Sequence, residues 1–338
     1  MSGDVHCRKE GALGRITLNR PKALNSLTRE MCAEIYAALG EWANDAGVKA
    51  VAIDAAPGRA FCAGGDIRHL YDDPKHYAPA FYEAEYKMNA RIRHYGKPYV
   101  ALVDGICMGG GVGVSVHGSH RVVTENMTFA MPETAIGFFP DVGGSFVLPR
   151  LLGELGTYLA LTGARLKAAD LVYAGLYTHY VPSANMDAIV QRLCTGRAPD
   201  EVVAEFAEKP GDASLSKHRA AIDRAFKANA VEEIFRALEK EGEWGAETVK
   251  GLRAKSPTAL KVTLRQMREG KKLGFDDCMK MEYQLAVHAV AGHDFHEGVR
   301  ALIVDKDNAP KWNPPAVEQV SDAAVAAWFM PGANELTF

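Results

Sequence analysis

The chain has 338 residues, of which 48% are hydrophobic, and a formal net charge of −3 at pH 7. This apolar content is enough for the core of one large domain or two ordinary ones, and it excludes an intrinsically disordered protein. The near-neutral charge argues against nucleic acid or an anionic membrane surface as the main partner, and no apolar run reaches the length of a membrane span.

Cysteine usage and the N-terminal residues bear on the cellular compartment. The six cysteines are scattered through apolar segments and form no C-x-x-C pair, so we expect free thiols and neither a disulfide framework nor a zinc site. The first residues, MSGDVHCRKEGALGRI, lack the apolar core of a secretory signal. We therefore predict a cytoplasmic protein of the bacterial type, or a mitochondrial-matrix protein if a transit peptide has been removed.

Strands and helices are predicted to alternate through the first half of the chain. Gly14–Asn19 alternates apolar and polar residues, as a half-buried strand does. Thr28 is placed to cap a helix whose apolar residues recur at spacings of three and four, and Ala78–Tyr95 is a second helix. Further strands are predicted at Lys49–Asp54, Lys97–Val103, Arg121–Val123 and Thr128–Ala130. This alternation is typical of an α/β layer architecture.

After about Pro182 the predicted strands stop and the chain becomes helical. Helices are predicted at Ala184–Cys194, Asp200–Glu208, Ser216–Asn229, Val231–Glu239, Thr248–Lys255, Pro257–Arg268 and Phe275–Val290. The change in pattern predicts two parts, an α/β core over residues 1–182 and a helical C-terminal region over residues 183–338.

Two glycine-rich turns each follow a predicted strand, AGG at residues 63–65 and GGG at residues 109–111. Glycine lets a backbone N–H approach a ligand closely, and a helix N-terminus adds unpaired N–H groups with partial positive charge. Two such turns facing each other would give an oxyanion one donor each. Tight packing of helix on sheet also uses glycine, and each turn taken alone favours that explanation.

Residues 129–149, FAMPETAIGFFPDVGGSFVLP, hold two acids in apolar surroundings, Glu133 and Asp141. Each directly follows a proline, which constrains the backbone at that point. A carboxylate in such a setting is costly to ionise, so we expect pKa values raised toward the range useful for acid–base chemistry. The alternative is two loop acids beside buried aromatic residues, and this stretch alone does not separate the two.

Several familiar site motifs are not matched. The glycines near residue 110 do not satisfy G-x-G-x-x-G, and G-x-x-x-x-G-K-[ST] does not occur. Ser115 and His117 lie two residues apart, where helical side chains do not face each other, so a serine triad is disfavoured. His293 and His296 have no neighbouring ligand cluster in the sequence, and a capping or surface role is favoured over metal binding.

Three stretches together resemble the crotonase superfamily, which contains the enoyl-CoA hydratases and isomerases. They are PGRAFCAGGDIRHL at 57–70, GICMGGGVGVSVHGSHRVVT at 105–124 and FAMPETAIGFFPDVGGSFVLPRL at 129–151. Within the superfamily they most resemble the 3-hydroxyisobutyryl-CoA hydrolase branch, as do SPTALKVTLRQ at 256–266 and residues 295–312. The resemblance covers nearly the whole chain. It implies a spiral of strand–strand–helix turns, a helical C-terminal region and an acyl-CoA thioester substrate.

The resemblance also implies roles for individual residues. The backbone N–H groups of Ala63 and Gly110 would form the oxyanion hole, and Glu133 matches the acid of the second catalytic motif. Asp141 and Glu85 match acidic positions that line the acyl pocket in the hydrolase branch. Further residues expected to bind the substrate are Lys22, Leu24, Gly65, Asp66, Ile67, Gly109 and Gly113.

One departure from the hydratase pattern favours hydrolysis over hydration. Hydratases carry a second catalytic glutamate three residues after the central glycine of the GGG turn, where this chain has Gly113. The hydrolase branch shares this departure. We therefore expect hydrolysis of a short-chain 3-hydroxyacyl-CoA, in the first place 3-hydroxyisobutyryl-CoA of valine catabolism, with Glu133 as nucleophile or general base.

Two alternatives remain. The first is an enoyl-CoA hydratase or isomerase that uses Glu133 and Asp141. The second is a CoA-ester-binding or RNA-binding relative without activity, against which the intact acids, the intact glycine turns and the near-neutral charge argue. We expect a small-molecule acyl-CoA as the partner and no cofactor or metal, since CoA is part of the substrate. Crotonase relatives often form trimers and hexamers, which leaves a dimer or a trimer-based homo-oligomer open.

Overall fold

The computed structural model describes residues 3–332 and 335–338. Within these residues, the strands form a six-stranded sheet with the order β1-β2-β3-β5-β7-β9 and a three-stranded sheet with the order β4-β6-β8. The strands are β1 Val5–Glu10, β2 Leu13–Leu18, β3 Ala50–Ala55, β4 Ala60–Cys62, β5 Tyr99–Val103, β6 Ile106–Met108, β7 His120–Val123, β8 Thr128–Ala130 and β9 His179–Tyr180.

The larger sheet is parallel except at its edge. β1 and β2 form an antiparallel hairpin, and every later neighbour in the sheet pairs in parallel. β5 is buried at all five positions, as expected for a central parallel strand covered on both faces. This explains why its sequence, YVALV, is apolar throughout instead of alternating.

Each strand of the smaller sheet comes directly after a strand of the larger one. β4 follows β3, β6 follows β5 and β8 follows β7, and the three short strands pair in parallel. The chain therefore repeats a strand–strand–helix turn, which confirms the predicted crotonase-like α/β spiral. β1, β4, β6 and β9 were not predicted, because β1 is a charged edge strand and the other three have only two or three residues each.

The chain divides into two compact units. The first comprises the described residues of Met1–Gly65, Ala84–Ala130 and Arg165–Ser216, and it contains both sheets. Its helices are α1 Arg29–Asn44, the part of α3 Tyr77–Arg93 that starts at Ala84, α4 Gly110–Val116, α7 Ala168–Ala174, α8 Met186–Cys194 and α9 Pro199–Phe206. Its apolar core lies between the larger sheet and the helices α8 and α9, and includes Val100, Val122, Ile189 and Val202.

The second unit comprises Asp66–Glu83, Met131–Ala164 and the described residues of Lys217–Phe338. Besides the start of α3, its helices are α2 Ile67–Asp72, α5 Gly144–Val147, α6 Leu155–Thr162, α10 Arg219–Phe226, α11 Val231–Leu238, α12 Gly242–Arg253, α13 Pro257–Gly270, α14 Phe275–Ala291, α15 His293–Val299 and α16 Asp322–Trp328. The helices predicted after Pro182 are confirmed, with ends shifted by a few residues. The division into domains at residue 182 stays a prediction.

The start of α13 holds one segment of the second unit in place. Ser256 caps the helix by accepting a hydrogen bond from the Ala259 N–H at 3.0 Å, and Pro257 occupies the first helical position. The Ser256 N–H donates to the carbonyl of Thr134 at 3.2 Å. The short 3₁₀ turn Glu133–Ile136 is therefore fixed to a helix more than a hundred residues later in the chain.

Close packing of α4 on β4 in the first unit depends on a glycine. A Cβ atom added at Gly111 would lie 2.3 Å from the carbonyl oxygen of Cys62, which no side chain tolerates without movement of the backbone. A Cβ atom added at Gly251, in α12, would meet no atom within 4 Å.

Gly111→Ala should therefore lower the free energy of unfolding by about 1–3 kcal/mol, the usual cost of overpacking. The matched control Gly251→Ala should raise it by about 0.5–1 kcal/mol, because alanine is the better helix former and has room there. Denaturant unfolding followed by circular dichroism measures both. Equal stability of the two variants would contradict the packing described here.

Candidate active site

The two glycine turns meet in the first unit. β4 and β6 are parallel neighbours, so the turns that follow them lie at the same edge of the smaller sheet. A Cβ atom added at Gly110 would come within 3.3 Å of the Gly64 carbonyl carbon and within 2.5 Å of the Glu85 carboxyl. The AGG and GGG turns are therefore side by side, with the buried Glu85 carboxyl against the second.

The backbone of these turns requires glycine at two positions. Gly64 has φ +112° and Gly109 has φ +47°, conformations that residues with a Cβ rarely adopt. Gly110 is the first residue of α4, so its N–H has no partner inside the helix. Neither the Gly65 nor the Gly110 N–H donates to another described residue, and both amides can serve a ligand. Gly113 is buried in the same helix.

The Ala63 amide differs from its neighbours. It donates a hydrogen bond to the Leu24 carbonyl at 3.0 Å. An amide carries one hydrogen, so in this conformation the Ala63 N–H is committed to the protein. The N–H of Gly65, which was predicted only to contact the substrate, donates to no described residue and can serve a ligand.

The loop at residues 20–25 is built around a residue that was not singled out from the sequence, Asn25. Its buried side chain accepts from the Arg20 N–H at 2.7 Å and donates to the Ala60 carbonyl at 2.9 Å. Leu24 and Asn25 both have positive φ, which these hydrogen bonds stabilise. The loop thus lies against the start of β4, with Lys22 exposed to solvent.

A buried amide follows Glu85 on α3. Asn89 is fully buried, and neither polar atom of its side chain has a hydrogen-bond partner among the described residues. Residues four apart lie on one face of a helix, so Asn89 extends the polar face that begins at Glu85. A buried amide without a partner costs roughly 1–3 kcal/mol. Only the burial of α3 revealed this residue, since a lone asparagine in a helix gives no signal in the sequence.

The second unit contains the two acids predicted to be catalytic. Glu133 opens the 3₁₀ turn that α13 holds in place, and its side chain is 6% exposed. Its Oε2 atom has no hydrogen-bond partner among the described residues. Asp141 is 5% exposed. Asp66 and Ile67 lie in this unit as well, where Asp66 caps α2.

Burial raises the pKa of Glu133 well above its ordinary value, and the nearby carboxyl of Asp141 raises it further. The positive charge of Lys255 acts in the opposite direction and lowers it. Lys255 is itself largely buried, and desolvation lowers the pKa of its amine to about 8 although Glu133 opposes this change. Glu133 therefore sits between a carboxyl that disfavours its charge and an amine that favours it.

A third buried acid, Glu282, lies next to the segment that carries Asp141. Burial raises its pKa to about 8, hydrogen bonds from Ser145 and Gly143 lower it, and the charge of Asp141 raises it. Neither Lys255 nor Glu282 was predicted as a site residue. Each lies in or beside a C-terminal helix far from residues 133–141 in sequence, and a single charged residue in a helical pattern gives no signal of burial.

Aromatic side chains lie between the two acids in the sequence and pack against one another. Phe138 and Phe139 stack with ring centroids 4.5 Å apart, and Phe138 also contacts Tyr82 and Phe295. A Cβ atom at Gly137 would lie 2.3 Å from the Asp294 backbone, so α15 packs directly on this segment. These contacts exclude water from the segment and are the source of the desolvation.

Lys255→Met should raise the pKa of Glu133, because it removes a positive charge that lowers it. The Glu133 carboxyl can be followed by ¹³C NMR titration, with the signal assigned through Glu133→Gln. Lys255→Arg keeps the charge and should leave the midpoint nearer to that of the unaltered chain. A Glu133 midpoint that did not rise in Lys255→Met would show that the two groups do not interact.

Comparison with known proteins identifies relatives of this chain. Residues 13–329 match the enoyl-CoA hydratase/isomerase family. The chain is 45% identical to the 3-hydroxyisobutyryl-CoA hydrolase, mitochondrial, of Homo sapiens over 99% of this chain and 91% of that protein. The corresponding protein of Gallus gallus is 43% identical over the same shares.

Solved structures show the same fold. A carnitinyl-CoA dehydratase from Mycobacterium thermoresistibile superposes with a TM-score of 0.94 at 41% identity, covering 99% of this chain and 98% of that one. An enoyl-CoA hydratase from Rhodobacter sphaeroides 2.4.1 superposes with a TM-score of 0.93 at 41% identity, covering 99% and 100%. The resemblance found from the motifs is thereby confirmed, and the chain belongs to the enoyl-CoA hydratase/isomerase family.

Proposed function

We propose that this protein hydrolyses a short-chain 3-hydroxyacyl-CoA thioester, in the first place 3-hydroxyisobutyryl-CoA. The observation that carries the proposal is the buried carboxyl of Glu133, whose Oε2 has no partner among the described residues. It occurs in a chain with glycine at position 113, where hydratases place their second glutamate. The near full-length similarity to proteins named 3-hydroxyisobutyryl-CoA hydrolase supports the same reaction.

The thioester carbonyl would be polarised by backbone amides. We assign this role to the N–H groups of Gly65 and Gly110, because the Ala63 N–H is already bonded to Leu24. Donors fixed in place before the reaction stabilise the developing oxyanion without reorganisation, an effect of about 3 kcal/mol per donor in other acyl-transfer enzymes. Glycine at both positions lets the thioester approach the backbone closely.

Glu133 would carry out the chemistry at the carbonyl carbon in one of two ways. As a nucleophile, its carboxylate attacks the carbon, the thiolate of CoA leaves, and water hydrolyses the resulting mixed anhydride. As a general base, it removes a proton from the water that attacks directly. In both cases its ionised form is the reactive one, and the charge of Lys255 increases the ionised fraction.

The remaining acids would recognise the acyl group. Asp141, close enough to Glu133 to raise its pKa, is suited to hold the 3-hydroxyl of the substrate or to share a proton with Glu133. Glu85 and Asn89 present further polar groups on one face of α3. We also propose that the enzyme needs no metal or cofactor. We further propose that it acts in a reducing compartment, the cytoplasm or, if a transit peptide has been removed, the mitochondrial matrix, and its free cysteines support this placement. No helix among the described residues is long and apolar enough to cross a membrane.

Hydration of an enoyl-CoA is the second candidate. It is favoured by the two solved structures at 41% identity, whose names are those of a carnitinyl-CoA dehydratase and an enoyl-CoA hydratase. A 3-hydroxyacyl-CoA and a 2-enoyl-CoA separate the two reactions. Release of free thiol from the former indicates the hydrolase, and loss of the enoyl absorbance of the latter indicates the hydratase.

Glu133→Gln should lower kcat for thiol release from 3-hydroxyisobutyryl-CoA by about 10²–10⁴-fold, since the amide can neither attack nor accept a proton. Binding of the CoA ester should survive, because the substitution keeps the shape of the side chain. Asp170→Asn, at a buried acid of α7, is the control and should retain activity. A near-normal rate in Glu133→Gln would contradict the proposed mechanism.

A crystal structure of the Glu133→Gln variant with its CoA ester should show which amides bind the thioester oxygen. We expect this oxygen within about 3 Å of the Gly65 and Gly110 nitrogens, the usual length of such a hydrogen bond. The Ala63 N–H should stay bonded to Leu24. An oxygen bound to the Ala63 amide would restore the assignment made from the family pattern.

A further inference from the structure

The turn that carries Asp141 has an unfavourable backbone. Val142 has φ +50° and Gly143 has φ +86°. Positive φ is tolerated by glycine but is rare and costly for a β-branched residue such as valine. A conformation of this kind persists only where its surroundings hold it, and it is found most often at functional sites.

Two long-range contacts hold the turn. On the side of Asp141, Gln266 of α13 donates to the Pro140 carbonyl at 2.6 Å. On the other side, the carboxyl of Glu282 accepts from the Gly143 N–H at 2.7 Å through Oε2 and from the Ser145 N–H at 2.9 Å through Oε1. The Ser145 hydroxyl bonds to the same Oε1 atom.

Glu282 is itself fixed. It is fully buried near the middle of α14, with Tyr283 beside it and Cys278 one turn earlier also buried. Each oxygen of its carboxyl group accepts a hydrogen bond from a backbone N–H of the turn. These two hydrogen bonds fix the orientation of the carboxyl plane. The turn can move only if these bonds break or α14 moves.

We infer that Glu282 is a positioning residue for the reaction, which holds the Asp141–Ser145 turn so that the carboxyl of Asp141 keeps a fixed direction. The inference rests on the proposed function, in which Asp141 meets the acyl group. Glu282 does not touch the substrate in this scheme. It acts through the backbone, and its loss would let the strained backbone at Val142 relax and Asp141 turn away.

The chemistry of the side chain explains why a carboxyl is needed. Glutamine has the same length but offers only one acceptor oxygen, and its NH₂ group would face a backbone N–H of the turn. An apolar side chain would leave both buried N–H groups without a partner, at roughly 1–3 kcal/mol each.

The test compares Glu282→Gln with the unaltered chain in thiol release from 3-hydroxyisobutyryl-CoA. We expect kcat to fall about 10- to 100-fold, because a small displacement of a reacting group costs this much. KM should change less than about threefold, because most of the binding contacts to CoA are untouched. Glu282→Asp keeps two acceptors on a shorter stem and should recover part of the rate.

A double-mutant cycle distinguishes positioning from a general loss of structure. In an Asp141→Asn background, Glu282→Gln should lower kcat by less than about twofold further, because the group it positions is already gone. Asp170→Asn is the matched control. Asp170 is also a buried carboxyl that accepts from a backbone N–H, that of Leu215 at 2.7 Å, and from a serine hydroxyl, that of Ser214. This variant should lose stability while keeping kcat.

Hydrogen exchange gives a readout that needs no activity. In Glu282→Gln the amides of Gly143 and Ser145 should exchange at least about tenfold faster, with protection elsewhere unchanged. A normal kcat, additive losses in the cycle, or unchanged exchange at these amides would overturn the inference. An unaltered chain that released no thiol would instead overturn the proposed function, and the exchange result would still decide whether Glu282 orders the turn.

Discussion

The proposed chemistry depends on the burial of one carboxyl group. Glu133 is withdrawn from water, and its Oε2 atom meets no partner among the described residues. Burial alone would keep the group protonated and unreactive, because a lone charge in an apolar setting is costly. Lys255 offsets part of this cost and Asp141 adds to it, so the balance of two neighbouring charges sets how readily Glu133 ionises.

The scaffold supplies the groups that a thioester needs without adding charged side chains. Parallel strands end at the same edge of a sheet, and each of the two short strands β4 and β6 leads into a glycine turn. The uncommitted amides of Gly65 and Gly110 come from the backbone, so their position follows from the fold. Neighbouring positions of these turns need glycine for two reasons: Gly64 and Gly109 have positive φ, and Gly111 allows the close approach of α4 to β4.

Proteins that share this scaffold are named for different reactions. The proteins of known structure with TM-scores above 0.9 are named as a dehydratase and a hydratase, while the curated relatives are named as hydrolases. Gly113 removes one carboxyl from α4, and the turn at Asp141 places an acid elsewhere. Side chains of α13 and α14 hold that turn, so the helical C-terminal part supports a residue of the proposed site as well as contributing to the core.

The sequence by itself determined the alternation of strands and helices, the change to helices after Pro182, and the two acids with their glycine turns. These signals are local, since they rest on periodicity, on proline and glycine, and on short motifs. Tertiary structure decided which amides are uncommitted, because the bond from Ala63 to Leu24 joins residues that no local pattern connects. It also decided the roles of Lys255, Glu282 and Asn89, since burial and charge interactions depend on which distant segments pack together. A single polar residue can have the same sequence pattern around it on the buried face and on the exposed face of a helix. Only the element that packs against that face shows which of the two it is.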